Sequence, residues 1–251
     1  MFVDTHCHIS SLDYEDIAAV FEENIENDVK YIINCACDKK SIPEALEMLD
    51  RYRGVFLTVG YHPSEASSYT QADIDYLEQI IINNKGIVGL GEIGLDYHYG
   101  KDNAKQQQDL FEKQLDLAEK LNIPVVIHTR DATADTIEIL KRHNNYGVVH
   151  CFSGSVETAN ILIDMGYILG IGGVVTFKNS NLYKVIEAVG LNNIVLETDS
   201  PYLAPEPFRG KKNSSKYIPI IASKIADICK VDVSVVKEKT TLNACNLFDL
   251  K

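Results

Sequence analysis

Seven histidines occur in the chain, and four of them stand at or beside the C-terminal end of a short β-prone run. His6 and His8 close Phe2-Val3-Asp4-Thr5, His128 closes Pro124-Val125-Val126-Ile127, and His150 closes Gly147-Val148-Val149. Two carboxylates share this kind of position. Glu92 follows Ile87-Val88-Gly89-Leu90-Gly91, and Asp199 follows Ile194-Val195-Leu196-Glu197-Thr198. His6 and His8 are separated by one residue, so in a strand both rings point to one face. Imidazoles and carboxylates together bind divalent ions such as zinc, manganese, nickel or magnesium. Two groups of such ligands, sharing one bridging carboxylate, can hold a pair of ions about 3.5–4 Å apart. Such a pair clamps the attacking and leaving oxygens of a displacement. Asp199 could ligate an ion and also orient or deprotonate the attacking water.

Residues so far apart in sequence meet only if the strands that carry them end at one place. The chain supplies that arrangement. Strands are predicted within Phe2 to His8 and over Lys30 to Cys35, Gly54 to Gly60, Gly86 to Gly91, Pro124 to His128, Gly147 to His150, Tyr167 to Ile171 and Ile194 to Thr198. Amphipathic stretches alternate with them: Tyr14 to Asn27, a helix opening at Ser41, Gln71 to Asn84, Ala104 to Leu121, Asp131 to His143, Ser155 to Met165 and Asn181 to Val189. In the helix after the first strand, Ile17, Val20, Phe21 and Ile25 fall on one face. Ser41 reads as an N-cap, with Pro43 early in its helix. A long loop, Pro201 to Ser215, precedes helices at Tyr217 to Cys229 and Ser234 to Leu247. Eight βα units and one additional C-terminal helix predict a closed parallel (β/α)8 barrel, a TIM barrel. Nearly continuous apolar strands fit a sheet covered on both faces. In such a barrel the C-terminal strand ends ring one mouth, where active sites are built.

At 251 residues the chain matches one barrel, so residues 1–251 are expected to form a single domain. No run of 18 apolar residues predicts a membrane span, and no basic, apolar leader is read at the N-terminus, so a cytoplasmic location is expected. Six cysteines in such a chain do not imply disulfides. Cys35-Ala36-Cys37 lacks zinc-ribbon spacing, and the cysteines are read as small packing residues. A net charge of −12 argues against a general nucleic-acid coat but leaves room for a local basic patch.

The ordered motifs resemble the TatD family of metal-dependent deoxyribonucleases, among the amidohydrolase-like barrels. They are Asp4-Thr5-His6-Cys7-His8, Gly60-Tyr61-His62-Pro63, Gly91-Glu92-Ile93-Gly94-Leu95-Asp96, His128-Thr129-Arg130 and His150-Cys151-Phe152-Ser153-Gly154. Further on come Gly173-Val174-Val175-Thr176-Phe177-Lys178-Asn179, Glu197-Thr198-Asp199-Ser200-Pro201-Tyr202-Leu203-Ala204-Pro205 and Arg209-Gly210-Lys211-Lys212-Asn213. Together they span almost the whole chain. The resemblance implies two divalent ions (Mg2+, Mn2+ or Zn2+), one held by His6, His8, Glu92 and Asp199, the other by Glu92, His128 and His150. It implies hydrolysis of DNA phosphodiesters, typically exonucleolytic. Glu92 takes the bridging place that a carboxylated lysine fills in some related barrels. Ser214-Ser215-Lys216 stands where the family commonly has a glutamate-proline turn, so that loop is expected to bend differently.

Further residues fill supporting roles. His62, before Pro63, is a candidate to hydrogen-bond a phosphate or polarise the leaving group. Arg130 is a candidate phosphate contact, or else an ion-pair partner of Asp131 or Asp135. Arg209, Lys211 and Lys212 form a basic cluster near the expected mouth. Tyr97, Tyr99 and Tyr202 are candidates to stack on bases, though each is also a packing candidate. His98 is a further candidate, and His143 reads as a surface residue at a helix end. Asp96 reads as a carboxylate orienting a ligand histidine, and Glu197 as a buried acid whose partner the sequence does not name. The leading expectation is a monomeric nuclease acting on single-stranded or frayed DNA. The same chemistry would serve an ester or amide, such as a D-aminoacyl-tRNA or a small amide, because the metal ligands do not choose the electrophile.

Overall fold

A computed structural model describes residues 1–251. Eight strands run in sequence order and all pair in parallel: β1 (Phe2–Cys7), β2 (Val29–Ala36), β3 (Val55–Val59), β4 (Ile87–Asp96), β5 (Val125–Arg130), β6 (Gly147–Val149), β7 (Tyr167–Ile171) and β8 (Ile194–Leu196). The helices are α1 (Ile17–Glu26), α2 (Ser41–Arg51), α3 (Gln71–Asn83), α4 (Ala104–Leu121), α5 (Thr133–Leu140), α6 (Val156–Asp164), α7 (Leu182–Val189), α8 (Ile218–Cys229) and α9 (Val233–Phe248). The ring closes beside β8. The Asp199 amide donates to the His6 carbonyl (2.9 Å), and the His8 amide to the Ser200 carbonyl (2.6 Å). This is the expected (β/α)8 barrel with its additional C-terminal helix.

Apolar packing occurs on both sides of the sheet. Outside, each helix lays its apolar stripe on the strands; α4 buries Leu110, Phe111, Leu115, Leu117 and Ala118. Inside, Val3, Ile33, Val126, Val148 and Val195 form a layer with Ala244, Phe248 and Leu250. The end of α9 and Leu250 beyond it therefore plug the barrel below the mouth. Asn243 fixes the plug by donating to the carbonyls of Leu191 and Ile194, each at 2.8 Å.

That floor positions the chemistry. Strand side chains alternate faces, so the next inward residue lies two positions on. From Val126 that residue is His128, from Val148 it is His150, from Val195 it is Glu197, and from Ile33 it is Cys35. The functional layer thus lies one step above the apolar floor. β1 and β4 carry register irregularities, between Asp4 and Cys7 and between Gly91 and Ile93. These fall at His6 and at Glu92 and break the simple alternation there.

Some boundaries differ from expectation. β4 continues through Glu92 to Asp96, because β5 pairs with it as far as Asp96 opposite Arg130. Ser41 is the first residue of α2 and not its N-cap. The Asp38 carboxylate instead accepts from the amides of Lys40 (2.7 Å) and Ser41 (3.1 Å). α1 begins at Ile17, after the Asp16 side chain accepts the Ala19 amide (3.0 Å). α5 is shorter than predicted, ending at Leu140.

Candidate metal centre

All six sequence-predicted ligands meet at the mouth. His6 Nε2 and His8 Nε2 are 3.1 Å apart. His6 Nε2 lies 3.5 Å from Glu92 Oε2 and 3.7 Å from Asp199 Oδ1. His8 Nε2 lies 3.5 Å from each of the same two oxygens. Four ligands held about 2.1 Å from one ion in a tetrahedron would be about 3.4 Å apart, so these atoms already outline a cation. The other Glu92 oxygen, Oε1, faces a second group. It lies 2.6 Å from His128 Nδ1 and 2.8 Å from His150 Nε2, and those nitrogens are 3.2 Å apart. Glu92 therefore presents one oxygen to each group. Facing imidazole nitrogens beside buried carboxylates are an arrangement that divalent ions fit well.

Local structure aims these groups. Asp199 adopts a left-handed backbone (φ 56°), which costs a non-glycine residue about 1–3 kcal/mol unless its surroundings enforce it. The hydrogen bond its amide donates to the His6 carbonyl does so, together with the neighbouring clasp of Asp4. The Asp4 carboxylate accepts from the Thr198 amide (3.0 Å) and hydroxyl (2.6 Å), tying β1 to the segment after β8. Two glutamines of α4 hold the loops from outside. Gln107 brackets the Asp96 backbone (2.8 and 2.9 Å), and Gln114 brackets that of Tyr61, beside His62 (2.7 and 3.0 Å). Sequence reasoning missed Asp4 and both glutamines. Their signal was only a polar residue at an otherwise apolar strand or helix position.

The cluster's fields are strong. Burial opposes charge on Glu92, yet His150, His128 and His6 hold its carboxyl well below the usual range. Burial also opposes charge on His128, but the carboxylates of Asp96 and Glu92 outweigh it and lift the ring to about 9. His6, buried beside His150, falls to about 4. Asp96 Oδ2 lies 3.2 Å from His128 Nε2, leaving Nδ1 free to ligate. Glu197 has its partners: it accepts the Cys151 amide (2.5 Å) and lies 3.8 Å from His150 Nδ1. Burial pushes its carboxyl up to about 8.

His62 packs edge-on against His128, with ring centroids 4.7 Å apart. The Ser64 amide donates to its Nδ1 (3.1 Å), and burial lowers the ring to about 4, so the neutral ring carries its proton on Nε2. Arg130 forms no ion pair. Asp131 is taken by His98 (3.0 Å) and Asp135 by the Tyr97 hydroxyl (2.9 Å), while the guanidinium lies over exposed Tyr99, 5.9 Å from its centroid. Tyr202 is exposed, 6.3 Å from the His8 ring. Arg209 lies over Phe177 and Lys211 over Phe208.

Three expectations change. Tyr97 is buried and hydrogen-bonded, so it cannot stack on a base. Lys212 bends back onto the Asp13 carbonyl and the Tyr14 ring and leaves the basic cluster. His143 is largely covered beside Asp116 and is not a surface residue. The departing loop at Ser214 forms a short 3-10 turn, Ser215–Tyr217, leading into α8. Asn213 anchors it by donating to the carbonyls of Thr198 (2.7 Å) and Tyr202 (2.6 Å).

A (β/α)8 barrel with two histidine-carboxylate groups at its mouth belongs to the metal-dependent hydrolase class. The sequence pattern of the family described as TatD related DNase matches residues 3–249. The chain is 36% identical over 253 residues to the uncharacterized metal-dependent hydrolase YabD of Bacillus subtilis, covering 99% of each. It is 36% identical to YcfH of Escherichia coli, described in the same terms, over 99% of this chain and 96% of that protein. The crystal structure of YjjV, a TatD homolog from Escherichia coli, superposes with a TM-score of 0.93 at 28% identity, covering 100% of this chain and 98% of that one. The chain belongs to the TatD family and is a metal-dependent hydrolase.

Proposed function

We propose that this protein hydrolyses DNA phosphodiester bonds, as an exonuclease on single-stranded or frayed ends. The observation that carries the proposal is the Glu92 carboxylate, which faces two ligand groups at once, beside a neutral His62. His6, His8, Glu92 and Asp199 would hold one divalent ion; Glu92, His128 and His150 would hold the other. The ions, when bound, supply an acidified water and positive charge for the phosphoryl oxygens. The chain's own groups do the rest. Asp199 orients the attacking water and accepts its proton. His62 donates from Nε2 to a phosphate oxygen and steadies the developing charge. Arg130 and Arg209 offer planar donors to neighbouring phosphates, Lys211 adds a charge, and Tyr202 offers a ring to a terminal base.

A phosphate that must reach a buried cluster fits a single strand or frayed end better than an intact duplex. We also propose that residues 1–251 act as one domain, as a monomer in the cytoplasm, where six free cysteines remain reduced. Net charge −12 favours the second reading, an ester or amide substrate. End-labelled single-stranded DNA, digested with Mg2+, Mn2+ or Zn2+ by the wild type and by Glu92→Gln, decides between them. Stepwise shortening by the wild type alone supports the nuclease. Intact DNA, with turnover of a D-aminoacyl-tRNA or a small amide, supports the alternative.

A further inference from the structure

The six expected ligands leave one chemically distinct neighbour. Cys35 Sγ lies in a group with His6, His8 and Glu92 whose ligand atoms are all within 4.8 Å of one another. Its placement follows from the strand. Ile33 belongs to the apolar floor, and Cys35 is the next inward residue of β2, on the level of the cluster. The side chain is buried at 3% exposure, whereas His8 and Asp199 are partly open to the mouth. Cys7 shows the contrasting, structural case: its thiol donates to the Ile33 carbonyl (3.6 Å). Cys35 has no backbone acceptor; the other thiol in its neighbourhood is that of Cys37, which also lies near His8.

We infer that Cys35 is a sulfur ligand, on the floor side, of the ion held by His6 and His8, and that this group is built for a thiophilic divalent ion. The inference rests on the metal-centre reading above. A sulfur about 2.3 Å and a nitrogen about 2.1 Å from one ion are about 3.6 Å apart in a tetrahedron and about 4.4 Å apart when opposite. The observed limit of 4.8 Å is within about half an ångström of that span, a shift one side chain can make. Binding replaces the S–H bond with a sulfur–metal bond, and the proton leaves to solvent. Because the sulfur approaches from the floor, it leaves the mouth side free for water and substrate. Thiolate prefers Zn2+, Co2+ or Cd2+ to Mg2+ or Mn2+, so the two groups would differ in metal preference.

The test is the near-ultraviolet and visible spectrum of the full-length protein loaded with Co2+ alone, for the wild type, Cys35→Ser, Cys35→Ala and Cys37→Ser. Circular dichroism checks the fold of each. The wild type and Cys37→Ser should show a sulfur-to-cobalt charge-transfer band that both Cys35 variants lack. Zn2+ affinity should fall at least about tenfold in the Cys35 variants, with Mn2+ affinity changed less than about twofold. Cobalt d–d bands without charge transfer in the wild type would overturn the sulfur ligand and leave the metal centre standing. A band that survives in Cys35→Ser and vanishes in Cys37→Ser would also overturn it. A folded wild type that binds no Co2+ would overturn both the ligand and the centre. If the Cys35 variants fail to fold, absence of the band in the wild type still overturns the ligand, and its persistence or loss in Cys37→Ser still tells the two thiols apart.

Discussion

Replacing Asp96 with Asn tests how the cluster holds its second ion. Asp96 lies outside the ligand set and touches it only through His128, with Oδ2 3.2 Å from Nε2. Its other oxygen accepts the His98 amide at 2.9 Å, and Gln107 brackets its backbone, so Asn fits the same space. What changes is one acceptor: an amide nitrogen placed there cannot accept the His128 proton. The ring then loses both its orientation and the carboxylate that helps lift it to about 9. Loss of such an outer partner typically weakens metal binding about 10–100-fold. That range corresponds to about 1.4–2.8 kcal/mol. The loss should fall on the ion at Glu92, His128 and His150, because Asp96 has no contact with His6 or His8. Metal titration by calorimetry should show one unchanged and one weakened site. Equal weakening of both sites, or of neither, would refute the reasoning.

Further outcomes follow from the same geometry. His128 must be neutral at Nδ1 to ligate, and its ring in the free protein is lifted to about 9. Below that pH a proton competes, so apparent affinity for the second ion should fall as pH drops, by up to about tenfold per unit between roughly pH 8 and 6. Affinity that stays flat across that window would contradict the assignment. His62→Gln should lower kcat by about 10²–10³ while two ions still bind, since it removes a donor to the developing charge and no ligand; loss of an ion would place His62 in the metal shell. Phe248→Ala, at the buried plug of α9, should destabilise the fold by about 3–5 kcal/mol in denaturant unfolding. An effect below about 1 kcal/mol would show that the plug does not support the barrel.

The barrel was legible in the sequence because short, nearly continuous apolar runs alternate regularly with longer amphipathic stretches. The ligand histidines were legible because each ends or nearly ends an apolar run. Glu92 was found, but its place inside a ten-residue strand was not, since a register irregularity leaves no mark on the hydrophobic pattern. The pairing of Asp4 with Thr198 spans 194 positions and depends on the ring closing, which no local window reports. Cys35 read as packing because its strand is apolar. Only the level of the floor beneath it, set by Val126, Val148 and α9, places it beside the cluster. Tyr97 and Lys212 looked like substrate contacts by composition, and both are satisfied internally by Asp135 and Asp13.

The most direct test of the account is a crystal of the wild-type protein soaked in Mn2+, measured at the manganese absorption edge. Two anomalous peaks about 3.5–4 Å apart are expected, with one Glu92 oxygen directed at each. A single peak away from Glu92, or none in a soaked crystal with Glu92 well ordered, would contradict the bridged centre on which the function rests.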